Sequence, residues 1–371
     1  MAGQTFYKDK PYVFVPFTVK EPEDTNKGRP KVTNKGYSHR ECLQECGGRM
    51  EITIKAITPL YFGQGDLLKD KDVLVHALTR ENGRAAYPGT SFKGMIRSVF
   101  EAVSNSCILI RPSQKEFQNA FPQKSCKCTN SKDACPACSV FGMLGKKGKL
   151  TFTSFRAEEK IQTQHLVIPE LQSPFRNYPN DKCGNERLYY GDFKDIHRIE
   201  IANMDKEEFF KKKNQQKKED YMEPKFYGRK FYKHAEGIVP GNDKEGCTYE
   251  CLRPGTELRG YINYEGLTEH ELSILAFSLG LGWDTPIYHK MGYAKPAYFG
   301  SVSLQVRTIE PEPRYKTIYK YHDLASLQDL AGRYYKNADG CVKEAVKAIE
   351  EIWTSTDGKS QWKKVNNHLT Y

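Results

Sequence analysis

Four cysteines are crowded into one short, lysine-rich segment of the chain. The segment reads CKCTNSKDACPACSVFG, and its thiols are those of Cys126, Cys128, Cys135 and Cys138. Two close pairs joined by a polar loop can place four thiolates tetrahedrally around one Zn²⁺. The first pair is closer than usual, so Cys107 or Cys183 is an alternative ligand. Because four thiolates leave no position for water, the pattern predicts a structural zinc site, not a catalytic one.

The other cysteines do not indicate a disulfide framework. The chain has 11 cysteines, an odd number, and its N-terminus lacks the apolar run of a signal peptide. We therefore expect a cytoplasmic protein with reduced thiols. A second, weaker metal site that joins Cys42-x3-Cys46 to Cys247-x3-Cys251 stays open.

The composition favours a polyanionic partner. In 371 residues the formal net charge is +11, and 23 Tyr and 19 Phe accompany the lysines. Basic side chains bind phosphates and aromatic rings stack on bases, so this mixture favours nucleic acid over a membrane surface. No window approaches the ~18 apolar residues of a membrane helix. With a mean hydropathy of −0.69, we expect long solvated loops and no membrane partner.

Strands and helices that can position these residues alternate along the chain. Residues 49–58 (RMEITIKAIT) alternate like a strand, 91–103 (SFKGMIRSVFEAV) carry a helical apolar stripe, and 148–157 (GKLTFTSFRA) are strand-like again. The stretch 158–251 has no sustained periodicity. Three further segments then predict a strand, a helix with a Thr268–Glu271 capping box, and a strand. They are TELRGYINYEG (256–266), LTEHELSILAFSLGLG (267–282) and YFGSVSLQVRTI (298–309).

The order β–α–β, long insertion, β–α–β is typical of an α+β fold. It predicts a ferredoxin-like core, similar to an RNA-recognition motif, with large insertions. We expect one domain over residues 1–310, with the zinc knuckle at about 107–148 and a thumb-like insertion at about 158–250. Residues 311–371 predict a C-terminal tail that contains helices at 322–335 and 340–353.

Five motifs, in this order, resemble those of the RAMP superfamily of CRISPR effector proteins. They are YPGTSFKGMIRSVFE, CPACSVFG, KLTFTSFRA, PGTELRGYINYEGLTEHELSILAFSLGL and HKMGYAKPAYFGSVSL. The resemblance covers residues 11 to 307 and is to Cas-seven-like backbone subunits of type III-related systems, III-D/E-like or type VII. It implies antiviral defense by a ribonucleoprotein complex. Several copies of the chain would form a filament on guide CRISPR RNA (crRNA), pair it with target RNA and contact other effector subunits.

The resemblance implies RNA contacts on three segments. The Pro-Gly-Thr-Ser turn opens a helix whose free N–H groups favour phosphate. The loop 292–300 is similar to the family's Gly-rich RNA-contacting loop. Charged and aromatic residues interleave in YGRKFY, which suits RNA, although a half-buried edge strand is the alternative. The predicted RNA-binding residues are Pro88, Gly89, Thr90, Ser91, Lys93, Arg97, Tyr227, Arg229, Lys230, Tyr232, His289, Lys290 and Lys295.

The resemblance also raises the question of cleavage. Family members that cut target RNA carry one aspartate in the loop before the Pro-Gly turn, here GQGDLLKDKDVLVHALTREN. Asp72 fits that position best, with Asp66 and Asp70 as rivals. Its carboxylate can bind Mg²⁺ or accept the proton of an attacking 2′-hydroxyl. Other backbone subunits bind without cutting, so endoribonuclease activity through Asp72 stays open.

Two other functions also stay open. A guide-RNA-processing RAMP endoribonuclease would use a histidine acid–base site, for which His76, His165 and His289 are available. The other is a stand-alone, zinc-stabilised RNA-binding module outside CRISPR. A backbone subunit should form filaments on RNA, a processing enzyme should act alone on a repeat hairpin, and a simple module should bind as a monomer.

Overall fold

A computed structural model gives a mixed α+β fold with mainly antiparallel sheets. It describes residues 11–15, 45–71, 73–107, 128, 134–158, 161–171, 229–242, 246–338 and 340–353. The strands are β1 (Tyr12–Val15), β2 (Cys46–Ala56), β3 (Leu67–Asp70), β4 (Val73–His76), β5 (Arg80–Glu81), β6 (Arg84–Tyr87), β7 (Leu150–Phe152), β8 (Phe155–Ala157), β9 (Thr163–Pro169), β10 (Arg229–Tyr232), β11 (Gly246–Leu252), β12 (Glu257–Leu267), β13 (His289–Lys290) and β14 (Ser301–Ile309). The helices are α1 (Gly89–Val103), α2 (Pro136–Phe141), α3 (Glu269–Ser278), α4 (Pro313–Lys316), α5 (Leu324–Lys336) and α6 (Gly340–Trp353).

The largest sheet carries the core of the molecule. Its strand order is β13–β14–β2–β12–β8–β6–β5, and β7 also pairs with β12. The strands on both sides of β2, which are β12 and β14, are antiparallel to it. The alternation predicted for β2 is confirmed, because Met50, Ile52, Ile54 and Ala56 are all buried. One apolar face of β2 therefore lies at the centre of the sheet and of the core.

Two helices cover the core as their patterns predict. The stripe of α1 is buried, and it consists of Phe92, Ile96, Val99 and Val103. The capping box of α3 is present: Thr268 Oγ1 accepts from the Glu271 N–H at 3.1 Å, and Glu271 Oε2 accepts from the Thr268 N–H at 3.0 Å. All residues of α3 from Glu271 to Ser278 are buried, because α1 and α5 both pack against this helix. The helix is therefore buried over more of its surface than the apolar stripe in its sequence predicts.

Two smaller sheets complete the described part of the chain. One has the order β3–β4–β11–β9, and the other pairs β1 with β10. Strands β9, β10 and β11 lie in the stretch where no periodicity was found. In β9 and β11 the burial does not alternate cleanly along the chain, so the period-two signal is weak. The helices expected in the tail are present as α5 and α6. Each helix in the described ranges is too short or too polar to cross a membrane.

Candidate nucleic-acid interface and metal centre

A cleft of about 680 Å³ lies where the N-terminal end of α1, the loop after β13 and strand β10 meet. Its lining unites all three segments that were predicted to contact RNA. The predicted residues in the lining are Pro88, Ser91, Lys230, Tyr232, Lys290 and Lys295. Among the described residues the lining includes three lysines and no carboxylate. The cleft is therefore suited to a negatively charged ligand.

The N-terminal end of α1 is open towards this cleft. No side chain caps the first turn, and Ser91 is exposed. A Cβ atom on Gly89 would lie 2.5 Å from the Thr153 carbonyl oxygen, so only glycine allows the helix to begin this close to the β7–β8 connection. The N–H groups of the first turn and the helix dipole favour an anion at such an end.

Two lysines, Lys290, which is buried, and Lys295, which is half-buried, hold the loop between β13 and β14. Lys290 Nζ donates to the carbonyl oxygens of Tyr298 and Phe299, both at 3.0 Å, and Lys295 Nζ donates to the carbonyl of Gly292 at 3.0 Å. Burial lowers the pKa of both lysines. Both lysines therefore shape the loop from within the wall of the cleft.

The backbone of this loop takes the left-handed conformation at several positions. Gly292 has φ +76°, and a Cβ atom there would lie 2.4 Å from the Tyr61 carbonyl oxygen. Ala294 and Tyr298 have φ values of 57° and 65° although they are not glycine. The loop thus approaches Tyr61 closely although two of its left-handed positions are alanine and tyrosine.

Strand β10 contributes Lys230, a lysine that contacts an aromatic ring and not the loop carbonyls. Lys230 Nζ lies 3.6 Å from the ring centroid of Tyr12, a cation–π contact. Burial lowers the pKa of Lys230 to about 8 and raises that of Tyr232 to about 12. At neutral pH Lys230 is therefore mostly charged and Tyr232 is neutral.

Other predicted RNA contacts lie away from the cleft. His289 is fully buried and its Nε2 lies 2.9 Å from the Ser278 carbonyl oxygen. Arg229 is buried and donates to the Ser106 carbonyl. Both side chains are therefore engaged inside the protein, and their contact with RNA stays a prediction. Thr90 is exposed and Lys93 half-buried beside the lining, whereas Tyr227 lies outside the described residues.

The described cysteines converge on one point. The Sγ atoms within 4.8 Å of one another are those of Cys107, Cys128, Cys135 and Cys138. Cys107 Sγ lies 3.4 Å from Cys138 Sγ and 3.5 Å from Cys135 Sγ. A tetrahedral Zn²⁺ with Zn–S bonds of about 2.3 Å requires sulfurs about 3.8 Å apart. The four thiols therefore fit a metal such as zinc after a small expansion.

This set contains Cys107, which the sequence offered only as an alternative. Cys126 and Cys183 lie outside the described residues, as does Cys42. No second group of metal-ligating side chains was found within the described ranges. Cys46 and Cys251 are buried in different sheets, and burial raises the pKa of each to about 12. They are inert core thiols.

Arg97 connects α1 to the cysteine cluster. Its Nε donates to Glu101 Oε1 at 2.7 Å, its Nη1 donates to the Gly142 carbonyl at 3.1 Å, and its Nη2 lies 3.8 Å from Cys138 Sγ. Burial raises the pKa of Glu101, and the nearby Arg229 and Arg97 oppose that change. The Arg97 guanidinium is thus engaged beside the thiols, and its contact with RNA stays a prediction.

Apart from strand β10, the sequence patterns did not identify the aromatic part of the lining. Tyr61, Tyr87 and Tyr293 come from three separate segments and meet only in the fold. Each stands alone in a loop or at a strand end, so no periodic pattern marks it. The available signal was the unusual number of tyrosines, 23 in the chain.

Comparison with known proteins adds one finding to this geometry. The family model for the RAMP superfamily matches residues 53–287. The matched range contains α1, the cysteine cluster, β12 and α3. No curated protein matches the chain significantly.

Proposed function

Since the chain belongs to the RAMP superfamily, we propose that it is a CRISPR-associated subunit that binds guide RNA in the cleft between α1, β10 and the β13–β14 loop. The observation that carries this proposal is the convergence of three segments, distant in sequence, on one basic and aromatic cleft. Phosphates would meet the open end of α1 and the lysines, while base pairing would be left to read the target sequence.

We further infer a ferredoxin-like core for this subunit. The neighbours β14, β2, β12 and β8 are each antiparallel to the next. One helix, α1, follows β2 before β7, and the other, α3, follows β12 before β14. Antiparallel order combined with split β–α–β connections supports that core. Similar sheets track RNA in the RNA-recognition motif.

The assembly state is also part of the proposal. Several copies would line up along one crRNA in a Cas-seven-like, type III-related effector, with other subunits at the filament ends. The order of the five motifs supports this role. Length-variable particles on RNA of increasing length, seen by electron microscopy, would distinguish it from a monomeric RNA-binding module.

We propose that the cysteine cluster binds one structural Zn²⁺. The ligands would be the four converging thiolates, and Zn²⁺ would supply a fixed cross-link between the end of α1 and α2. Arg97 offsets part of the negative charge of the thiolates and joins the cluster to the helix that lines the cleft.

A second candidate function is cleavage of the paired target RNA through Asp72. Asp72 itself lies outside the described residues, but β3 and β4 pair up to Asp70 and Val73 on either side of it. His76, on the same hairpin, stacks on Tyr249, next to the rim of the cleft. Target RNA should be cut in Mg²⁺ by the guide complex and left intact by the Asp72→Asn variant, whereas Asp66→Asn and Asp70→Asn, at the two rival positions, should each still cut.

The affinity for single-stranded RNA tests the binding proposal. Lys230→Gln should weaken binding and lower the dependence on salt, because one phosphate contact is lost. Arg314→Gln is the control: it removes an exposed charge from α4, which follows the end of β14 far from the cleft. Equal losses in both variants would indicate a nonspecific charge effect and contradict a cleft that binds RNA.

A further inference from the structure

Four aromatic side chains form a continuous cluster at the rim of the cleft. The rings of His76 and Tyr249 stack, with centroids 4.5 Å apart and an interplanar angle of 15°. Tyr293 continues the series, 5.6 Å from Tyr249 at an angle of 32°. The ring of Tyr61 meets Tyr249 at 4.7 Å and Tyr293 at 6.1 Å, both edge-on.

This cluster differs from the aromatic pairs of the core. Phe92 and Phe155, for example, are in contact and fully buried. Tyr293 is 43% exposed, and His76 and Tyr249 are half-buried. Large aromatic side chains at a rim are costly to expose unless something covers them.

The backbone fixes the position of the exposed ring. The Tyr293 N–H donates to the Tyr61 carbonyl at 3.0 Å, beside the left-handed Gly292. Tyr249 and His76 are paired residues of β11 and β4. The ring of Tyr293 thus rests on neighbours that are held by adjacent strands of one sheet, so little side-chain entropy is left to lose when a ligand stacks on it.

We propose that Tyr293, supported by Tyr249 and His76, is a stacking subsite for one unpaired base of the RNA whose phosphates lie in the cleft. This inference rests on the proposed function. Tyr293 lines the same cleft as Ser91 and Lys230, so a base and the phosphates of its strand can be bound together. Because every base has a π-face, the subsite would tolerate any sequence.

A short single-stranded RNA with 2-aminopurine at successive positions tests the subsite with the full-length chain. Stacking on an aromatic ring quenches this fluorophore. Wild type should quench at least one position, and Tyr293→Phe, which keeps the ring, should do the same. Tyr293→Leu should lose the quench and bind RNA about tenfold more weakly. Melting temperatures measure any stability that Tyr293→Leu loses with the ring's contacts to Tyr249 and Tyr61, so that binding is compared only between folded proteins.

The outcomes separate the two proposals. If Tyr293→Leu quenches and binds like Tyr293→Phe, the stacking subsite is refuted. The cleft itself is tested independently by Lys230→Gln. If that variant weakens binding while Tyr293→Leu does not, RNA binds in the cleft without a base on Tyr293. If neither variant changes the affinity, the proposed function is refuted together with the subsite.

Discussion

Replacement of Ser91 by glutamate separates folding from RNA binding at the open end of α1. Ser91 is exposed in the first turn and lines the cleft. A carboxylate at this position interacts favourably with the helix dipole, so the free energy of unfolding should rise by about 0.3–1 kcal/mol. The same carboxylate would lie where a phosphate is proposed to bind, so RNA affinity should fall.

The size of the loss follows from the charges. Two unit charges about 5 Å apart repel by ~3 kcal/mol at an effective dielectric constant of about 20. Because Ser91 is exposed to water and salt, we expect roughly 1–2 kcal/mol, or about 5- to 30-fold weaker binding. Loss of one phosphate contact should also reduce the slope of log affinity against log salt by about 0.7 for a single strand.

The assay is RNA binding by fluorescence anisotropy at several salt concentrations, together with chemical denaturation. Ser91→Ala is the control, since it removes the hydroxyl group and keeps the backbone N–H donors. It should bind RNA nearly as well as wild type. A stable Ser91→Glu variant that binds RNA as tightly as Ser91→Ala would refute a phosphate at this helix end.

Four further predictions concern the metal, acid stability and pH. Metal analysis of the purified protein should show that Cys107→Ser has lost zinc and that Cys126→Ser retains it. The reverse result would exclude Cys107 as a ligand. Arg97→Gln should weaken zinc binding about 10-fold, measured by competition with a chromophoric chelator. This is the low end for a residue that contacts a metal ligand, because the N···S distance is long. Arg97→Lys should restore part of the zinc affinity, and an unchanged affinity in Arg97→Gln would contradict the contact. Burial lowers the pKa of His289 to about 4 from 6.5, so its contribution to stability is full above pH 6.5 and is lost as the pH falls to about 4. In denaturation curves, His289→Gln should remove up to ~3 kcal/mol of this acid-induced loss. Equal pH dependence in wild type and variant would contradict a neutral buried imidazole. Burial lowers the pKa of Lys230 to about 8, and a bound phosphate favours the charged form of this lysine. RNA affinity should therefore fall as the pH rises from 7 to 9, and this fall should be smaller in Lys230→Arg.

Local patterns predicted the elements that local physics controls. The alternation of β2, the stripe of α1 and the capping box of α3 depend on neighbouring residues in the chain, and all three are present. Strands β9 and β11 were not predicted, since one face of each is only half-buried and the apolar period is broken. Their pairing is set by distant contacts that the sequence does not display.

In the candidate site, too, local patterns predicted some features and distant contacts determined the others. The segments that line the cleft were identified by motif, but the direction of each side chain was not. Arg97 and Arg229 have the charge of phosphate ligands, and yet both are used inside the protein, at Glu101 and at the Ser106 carbonyl. Charge in a sequence does not show whether the partner is internal. Cys107 likewise joins the thiol cluster across a separation that spacing rules do not cover.

The most direct test of the central claim is photo-crosslinking of RNA to the purified protein, followed by mass spectrometry of the adducts. If RNA lies in the cleft, adducts should concentrate on the peptides that carry Ser91, Lys230 and residues 290–295. Adducts confined to α4 or α5, with none on these three peptides, would contradict the account.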